Sequence, residues 1–309
     1  MRCCLKTSGN TAICAVLPEI LTKDGDVLFR WKTYCCAVLC AGLFCVVAGG
    51  VLFFARSATA YREKTIEPME TFRLSAFTEL DARHEIRLCA HRGLSATAPE
   101  NTLESVRAAG EAGYPLILLD VTLTKDGEAV LLADETIERM TAGHGRVRAY
   151  TYTQLLRFPL DNGANLADFG RVQIPRLQDA LELCESYGMQ PVLSLRTVRS
   201  GISETLLRQL QRACMVVSSR RDVLESLAGQ IDKLCLRVDA LHAQDARYAA
   251  KHGFSLAFDP LQTSGKAPKE AGRTELWAWP VNTRETLVRT VGNGVKNVVT
   301  DCILPMSEK

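Results

Sequence analysis

The chain has 309 residues, carries 37 Lys and Arg against 35 Asp and Glu, and is 47% apolar. That length can bury one large core, and a single α/β barrel of ordinary size would use most of it. The formal charge of +2 is small and its basic residues are scattered rather than striped, so nothing points to nucleic acid or to any partner recognised by charge alone.

Residues 1–32 read as an N-terminal tail. Between Lys32 and Arg56 the run TYCCAVLCAGLFCVVAGGVLFFA contains no charge and is long enough to cross a bilayer as a helix. Residues 33–55 are therefore expected to be a single-pass membrane anchor. A buried core helix would normally carry a polar stripe, and this run has none. Cleavage as a signal peptide stays open, because SATA (57–60) has small residues in the right pattern; against it, the apolar run is longer than an ordinary signal core and a tail precedes it. Lys23, Arg30 and Lys32 on one side are balanced by Arg56, Arg62 and Lys64 on the other, so charge does not choose an orientation. Of the 12 cysteines, Cys3, Cys4, Cys14, Cys35, Cys36, Cys40 and Cys45 fall in the tail and anchor, either as acylation sites or as small apolar residues. The remainder, Cys89, Cys184, Cys214, Cys235 and Cys302, are odd in number and widely spaced, which supports neither a disulfide framework nor a zinc site.

A polar connector is expected over 56–85, and from 86 to 309 short β-rich runs alternate with helical patterns. The strand candidates are RLCAH (87–91), LILLDV (116–121), QPVLSLR (190–196), CMVVSS (214–219), KLCLRV (233–238), SLAFD (255–259), LWAWPV (276–281) and NVVTD (297–301). Helical periodicity appears between most of them, as in NTLESVRAAGEAG, RLQDALELCESYG and DARYAAKHG, several closing on glycine. Eight βα units predict a TIM barrel; the rival, a doubly wound open sheet, lacks a glycine-rich phosphate loop after its first strand. The second and third strands stand too far apart for one crossover helix, so a small insertion is expected at about 122–174.

Barrel chemistry lies at the C-terminal ends of the strands. His91 and Arg92 at the end of the first strand and Asp120 at the end of the second would converge on one mouth, where a guanidinium can clamp phosphate and an imidazole can move protons. Taken singly, each has an ordinary structural explanation, and PENT could be no more than a helix start.

Together, AHRG, PENTLES, LLDVTLTKDGEAVLLADETIERMT, IPRLQDALELC, WPVN and VVTD resemble the glycerophosphodiester phosphodiesterase family in order and spacing, from about Leu88 to Leu304. The resemblance implies a TIM barrel with a small insertion after the second strand, and a phosphodiester or lysophospholipid substrate derived from phospholipid. It implies a divalent cation, Mg²⁺ or Ca²⁺, held by a Glu-x-Asp pair and a later glutamate. It gives catalytic roles to His91 and Arg92, a supporting role at the substrate to Glu100, a metal-ligand role to Asp120, and a phosphate-binding role to the position of Arg196. Three positions depart from the pattern: Leu118 replaces the paired glutamate, Ala133 the second histidine and Ser194 the later glutamate. Asp134, His144 and Glu128 are the neighbours that could substitute, His144 first among them. Two expectations follow: a membrane-anchored, catalytically impaired relative that keeps a phosphate-binding mouth, or an active phosphodiesterase with a rearranged site.

Overall fold

The computed structural model describes residues 65–77, 80, 85–199, 202–263 and 268–306. The anchor expected at 33–55 lies outside them; among the described residues no helix is long and apolar enough to cross a membrane.

The described residues form eleven strands: β1 (Phe72–Arg73), β2 (Arg87–His91), β3 (Leu116–Leu123), β4 (Ala129–Leu131), β5 (Gln190–Ser194), β6 (Met215–Ser218), β7 (Leu234–Val238), β8 (Ser255–Phe258), β9 (Leu276–Ala278), β10 (Asn297–Thr300) and β11 (Ile303–Leu304). β2, β3 and β5 to β10 match the eight sequence candidates. They are hydrogen-bonded in parallel in the order β2-β10-β9-β8-β7-β6-β5-β3, and β3 pairs back onto β2 to close the ring. The open-sheet alternative is thereby excluded.

Side-chain parity explains how the ring positions its contents. On β3, Leu116 and Leu118 pack into the barrel interior with Cys89, Val192, Met215, Val217, Cys235, Ala257, Trp277 and Val299. The alternating residues Ile117, Leu119 and Val121 join the larger core outside the barrel. That core is completed by the helices α1 (Leu103–Glu111), α3 (Leu177–Ser186), α4 (Glu204–Leu210), α5 (Arg221–Leu227), α6 (Ala243–His252) and α7 (Arg284–Gly292). The same parity that sends Leu116 and Leu118 inward sends Asp120 inward two residues later, at the C-terminal end of the strand.

The insertion builds a small core of its own from Val130, Leu132, Ile137, Met140, Val147, Leu155, Leu160, Val172 and Ile174. It is anchored by β4, antiparallel to β3, and includes the short helix α2 (Tyr152–Leu155). The connector corrects the expectation of a merely polar segment. Leu74 and Phe77 are buried in the main core, and β1 pairs with β11 beyond the last barrel strand. Its apolar residues are too few and too spaced to announce a strand, but Leu74, Phe77 and Leu80 join the main core.

Candidate active site

At the end of β2 the chain turns sharply, and His-Arg-Gly is the turn. Arg92 takes a left-handed φ of 60° and Gly93 one of 82°. A side chain on Gly93 would also put a Cβ within 2.5 Å of the backbone of Ser105, so the glycine is demanded by space as well as by conformation. PENT is indeed a helix start: Thr102 caps α1 by accepting from Ser105 N at 3.1 Å, while Ser105 Oγ accepts from Thr102 N at 3.2 Å. It is also part of the site, because the two residues before the cap point into the mouth.

Arg92 is the centre of that arrangement. Its Nη1 donates to both carboxylate oxygens of Glu100 at 2.9 Å, and its Nε lies 2.8 Å from Asp120 Oδ2. Asn101, also left-handed at φ 55°, accepts from the Asp120 amide at 3.0 Å and donates to Asp120 Oδ2 at 3.3 Å. Asp120 is 1% exposed, and its Oδ1 is buried without a partner. Burial alone would raise the Asp120 carboxyl, but the Arg92 guanidinium beside it, with His91, Ser194 and Asn101, holds it below the usual aspartate value. Glu100 behaves likewise: burial opposes ionisation, and Arg92 and Arg139 together outweigh it. Arg139 comes from the insertion and bridges Glu100 to Asp134.

His91 is held by a residue to which the sequence reading gave no role. Its Nδ1 lies 2.8 Å from Asp301 Oδ1, just past β10, and its ring meets Trp279 edge-on at 5.4 Å between centroids. Asp301 also accepts from Ser95 Oγ and Asn282 Nδ2, each at 2.5 Å. Burial would raise this carboxyl, yet the charge and hydrogen bond of His91, with Ser95 and Asn282, drive it well below the carboxylate range. Such a carboxylate fixes the imidazole's orientation, and the opposite nitrogen, Nε2, is buried with no protein partner.

These groups open on a cavity of about 620 Å³. His91, Arg92, Ser194, Arg196, Arg237 and Trp279 are among its walls. Arg237 stacks over Trp279 at 5.1 Å and donates to Asp239 Oδ1 at 3.2 Å. The structure thus brings His91, Arg92 and Arg196 to one cavity, with Asp120 and Glu100 directly behind Arg92. The three positions at which the chain departs from the pattern that the resemblance implies lie on or just after β3, β4 and β5. Leu118 is opposite His91 and packs in the barrel interior, and Ser194 is opposite Asp120. Ala133 is buried just past β4. The residues weighed as substitutes are elsewhere: Asp134 pairs with Arg139, Glu128 with Arg176 at 4.0 Å, and His144 is exposed on the insertion, outside the cavity lining. Asp301, Asn101, Arg139 and Arg237 were the residues sequence reasoning missed. Parity along β7 and β10 could have found Arg237 and Asp301, since each lies two residues beyond an inward Cys235 or Val299.

Comparison with known proteins agrees with the motifs. A family model described as the glycerophosphoryl diester phosphodiesterase family matches residues 91–243. A glycerophosphodiester phosphodiesterase of Caldanaerobacter subterraneus is 31% identical over 229 residues, covering 69% of this chain and 92% of that protein. Human glycerophosphodiester phosphodiesterase 1 is 36% identical over 126 residues, covering 40% of this chain and 38% of its own length. Among solved structures, an Oleispira antarctica phosphodiesterase in complex with the product sn-glycerol-3-phosphate superposes with a TM-score of 0.61 at 22% identity, covering 74% of this chain and 96% of that one. The Thermotoga maritima glycerophosphodiester phosphodiesterase gives 0.56 at 20% identity, covering 70% and 94%. At such identities the structures establish the likeness of the barrel.

The depressed Asp301 carboxyl has a pH consequence. A folded-state value below the unfolded one of about 3.9 contributes stability that is fully present above that pH and is lost as acid approaches the folded value. Urea unfolding followed from pH 6 downward should show the wild-type losing stability below about pH 4 more steeply than Asp301→Asn. Equal slopes would show that the His91–Asp301 pair is not coupled to folding.

Proposed function

Because the chain belongs to the glycerophosphoryl diester phosphodiesterase family, we propose that it is a membrane-anchored member that binds a phosphodiester in the barrel mouth but hydrolyses it poorly. The observation that carries this reading is the fate of the metal-binding positions. A hard divalent cation takes about six to eight oxygen ligands if Ca²⁺, or a near-ideal octahedron if Mg²⁺. Of the three carboxylates that the family resemblance implies, the mouth has Asp120 alone. One Asp120 oxygen is taken by Arg92 and Asn101, and the neighbouring position is filled by the packed side chain of Leu118. Among the described residues no group of three or more His, Cys, Asp or Glu is placed to share a metal. This donor set does not fit the cation.

The remaining groups suit binding. Arg92 and Arg196 line the same cavity, and the oriented His91 presents Nε2 to an oxygen of the ligand. Arg92 is already neutralised by two carboxylates, so much of the attraction for a phosphodiester anion falls to Arg196. The absence of a second histidine at 133 removes a proton-transfer group, a loss that typically costs about 10²–10⁴ in rate. A specific observation favours the second reading, an active hydrolase with a rearranged site: the His91–Asp301 pair has a general base's geometry, with the distal nitrogen unclaimed. Glycerophosphodiesters and lysophospholipids are the substrates to try for it.

Calorimetric titration with glycerophosphoinositol and glycerophosphocholine in the presence of EDTA tests the binding reading. The wild-type chain should bind at least one without metal, and Arg196→Ala should weaken that binding by about tenfold or more, the worth of a charge-assisted hydrogen bond. No binding by the wild-type, or binding that needs Mg²⁺ or Ca²⁺, would overturn it.

The anchor rests on the uncharged run 33–55 and is tested separately. The full chain should stay with membranes through high-salt and alkaline washing, and the residues from Tyr61 onward, expressed alone, should not. Recovery of the full chain in the supernatant would rule the anchor out, and a mature N-terminus at Tyr61 would show a cleaved signal.

A further inference from the structure

We propose that a pocket on the barrel rim, walled by Arg146, Arg148 and Arg199, is a second anion site that takes a phosphate monoester group. Four chain segments meet there. Thr122 and Leu123 end β3, Glu135 follows β4, Arg146 and Arg148 flank Val147 at a 3₁₀ turn of the insertion, and Thr197 to Arg199 follow β5. They enclose about 70 Å³, several times the roughly 10–15 Å³ that a single water needs. Arg146, Arg148 and Arg199 are all exposed, so an anion can reach them from solvent.

Charge decides the class of ligand. Arg199 is paired with Glu135, while the guanidinium groups of Arg146 and Arg148 have no acceptor among the described residues. Three positive charges against one negative leave a formal +2. Glu135 registers the excess: its carboxyl is held below the ordinary glutamate value, first by the hydrogen bond from Arg199 and further by the charges of Arg199, Arg146 and Arg148. A phosphate monoester carries roughly −1.5 to −2 at neutral pH, whereas a diester carries a single charge, so the monoester is the better complement. Arginine forks match phosphate oxygens in pairs, which lysine cannot do.

The pocket uses none of the residues assigned to the mouth, so it stands whether or not the mouth binds a diester. It is nevertheless adjacent. Thr197 follows Arg196, which lines the mouth, and Thr122 is two residues beyond Asp120 on the same strand face. A monoester group from free phosphate or from a lipid headgroup offers the same chemistry.

The test uses the full chain in neutral detergent at fixed ionic strength, with chloride exchanged for inorganic phosphate and thermal unfolding followed by circular dichroism. A ligand that binds the folded state raises Tm in proportion to ln(1 + [L]/Kd). Phosphate should raise the wild-type Tm, and Arg146→Ala/Arg148→Ala should lose at least half of the rise. Arg208→Ala/Arg247→Ala, which removes the same net charge from exposed sites elsewhere, should keep it. In a parallel arm the micelles are doped with phosphatidate. A rise with free phosphate alone assigns the site to a soluble monoester, and a further rise with phosphatidate that the Arg146/Arg148 double variant also loses assigns it to a lipid headgroup. No rise in the wild-type, an undiminished rise in the Arg146/Arg148 variant, or equal loss in both double variants would overturn the proposal.

Discussion

The guanidinium of Arg92, held partly buried between the carboxylates of Glu100 and Asp120, is the interaction around which the mouth is organised. Removing one partner of a buried, hydrogen-bonded charge cluster typically costs about 3–5 kcal/mol, because the charge left behind cannot regain its water. Everything nearby is placed to prevent that. The left-handed turn at Arg92 aims the side chain, Gly93 lets α1 approach, Thr102 fixes the helix start, and Asn101 grips both the backbone and the side chain of Asp120. Arg139 reaches in from the insertion to share Glu100, so the insertion is tied to the barrel by charge as well as by packing.

This constraint holds Glu100 and Asp120 in the mouth, while Leu118, Ala133 and Ser194 stand where the family resemblance implies a glutamate, a histidine and a glutamate. Glu100 and Asp120 are needed to neutralise Arg92, whatever chemistry the barrel performs, and exchanging either would damage the fold. Leu118, Ala133 and Ser194 are under no such demand. Leucine at 118 extends the apolar interior by one layer towards the mouth. Burying apolar surface there is favourable, whereas a carboxylate at the same position would require a cation or another charge to offset its desolvation.

Much of this was legible in the chain. The eight barrel strands and the place of the insertion follow from β-rich runs, glycine-closed helical segments and one overlong gap. His91, Arg92 and Arg196 reach one cavity, with Asp120 and Glu100 behind Arg92, because strand-end position and motif spacing report the barrel's geometry. What stayed hidden is of another kind. Asp301 was quoted in VVTD without a role, since its meaning depends on β10 lying beside β2, far away in sequence. Arg139 sits in an irregular insertion where no periodicity marks it. The pairing of β1 with β11, two residues on each side, falls below the length at which a pattern can be read.

The most direct test of the account is the rate of hydrolysis of glycerophosphocholine, glycerophosphoinositol and lysophosphatidylcholine by the full chain, measured with Mg²⁺, with Ca²⁺ and with chelator, beside a Leu118→Glu/Ala133→His/Ser194→Glu variant. Groups that act as a unit are strongly non-additive, so single replacements should gain little and only the triple variant should show a cation-dependent rise, of about tenfold or more. Its folding is checked first, because two new carboxylates enter buried positions. The unmodified chain should show little or no cation-dependent turnover. Turnover of any of these substrates by the unmodified chain at an ordinary enzymatic rate of roughly 1–10³ s⁻¹, abolished in a folded His91→Gln variant, would contradict the account and establish the rearranged site as a working one.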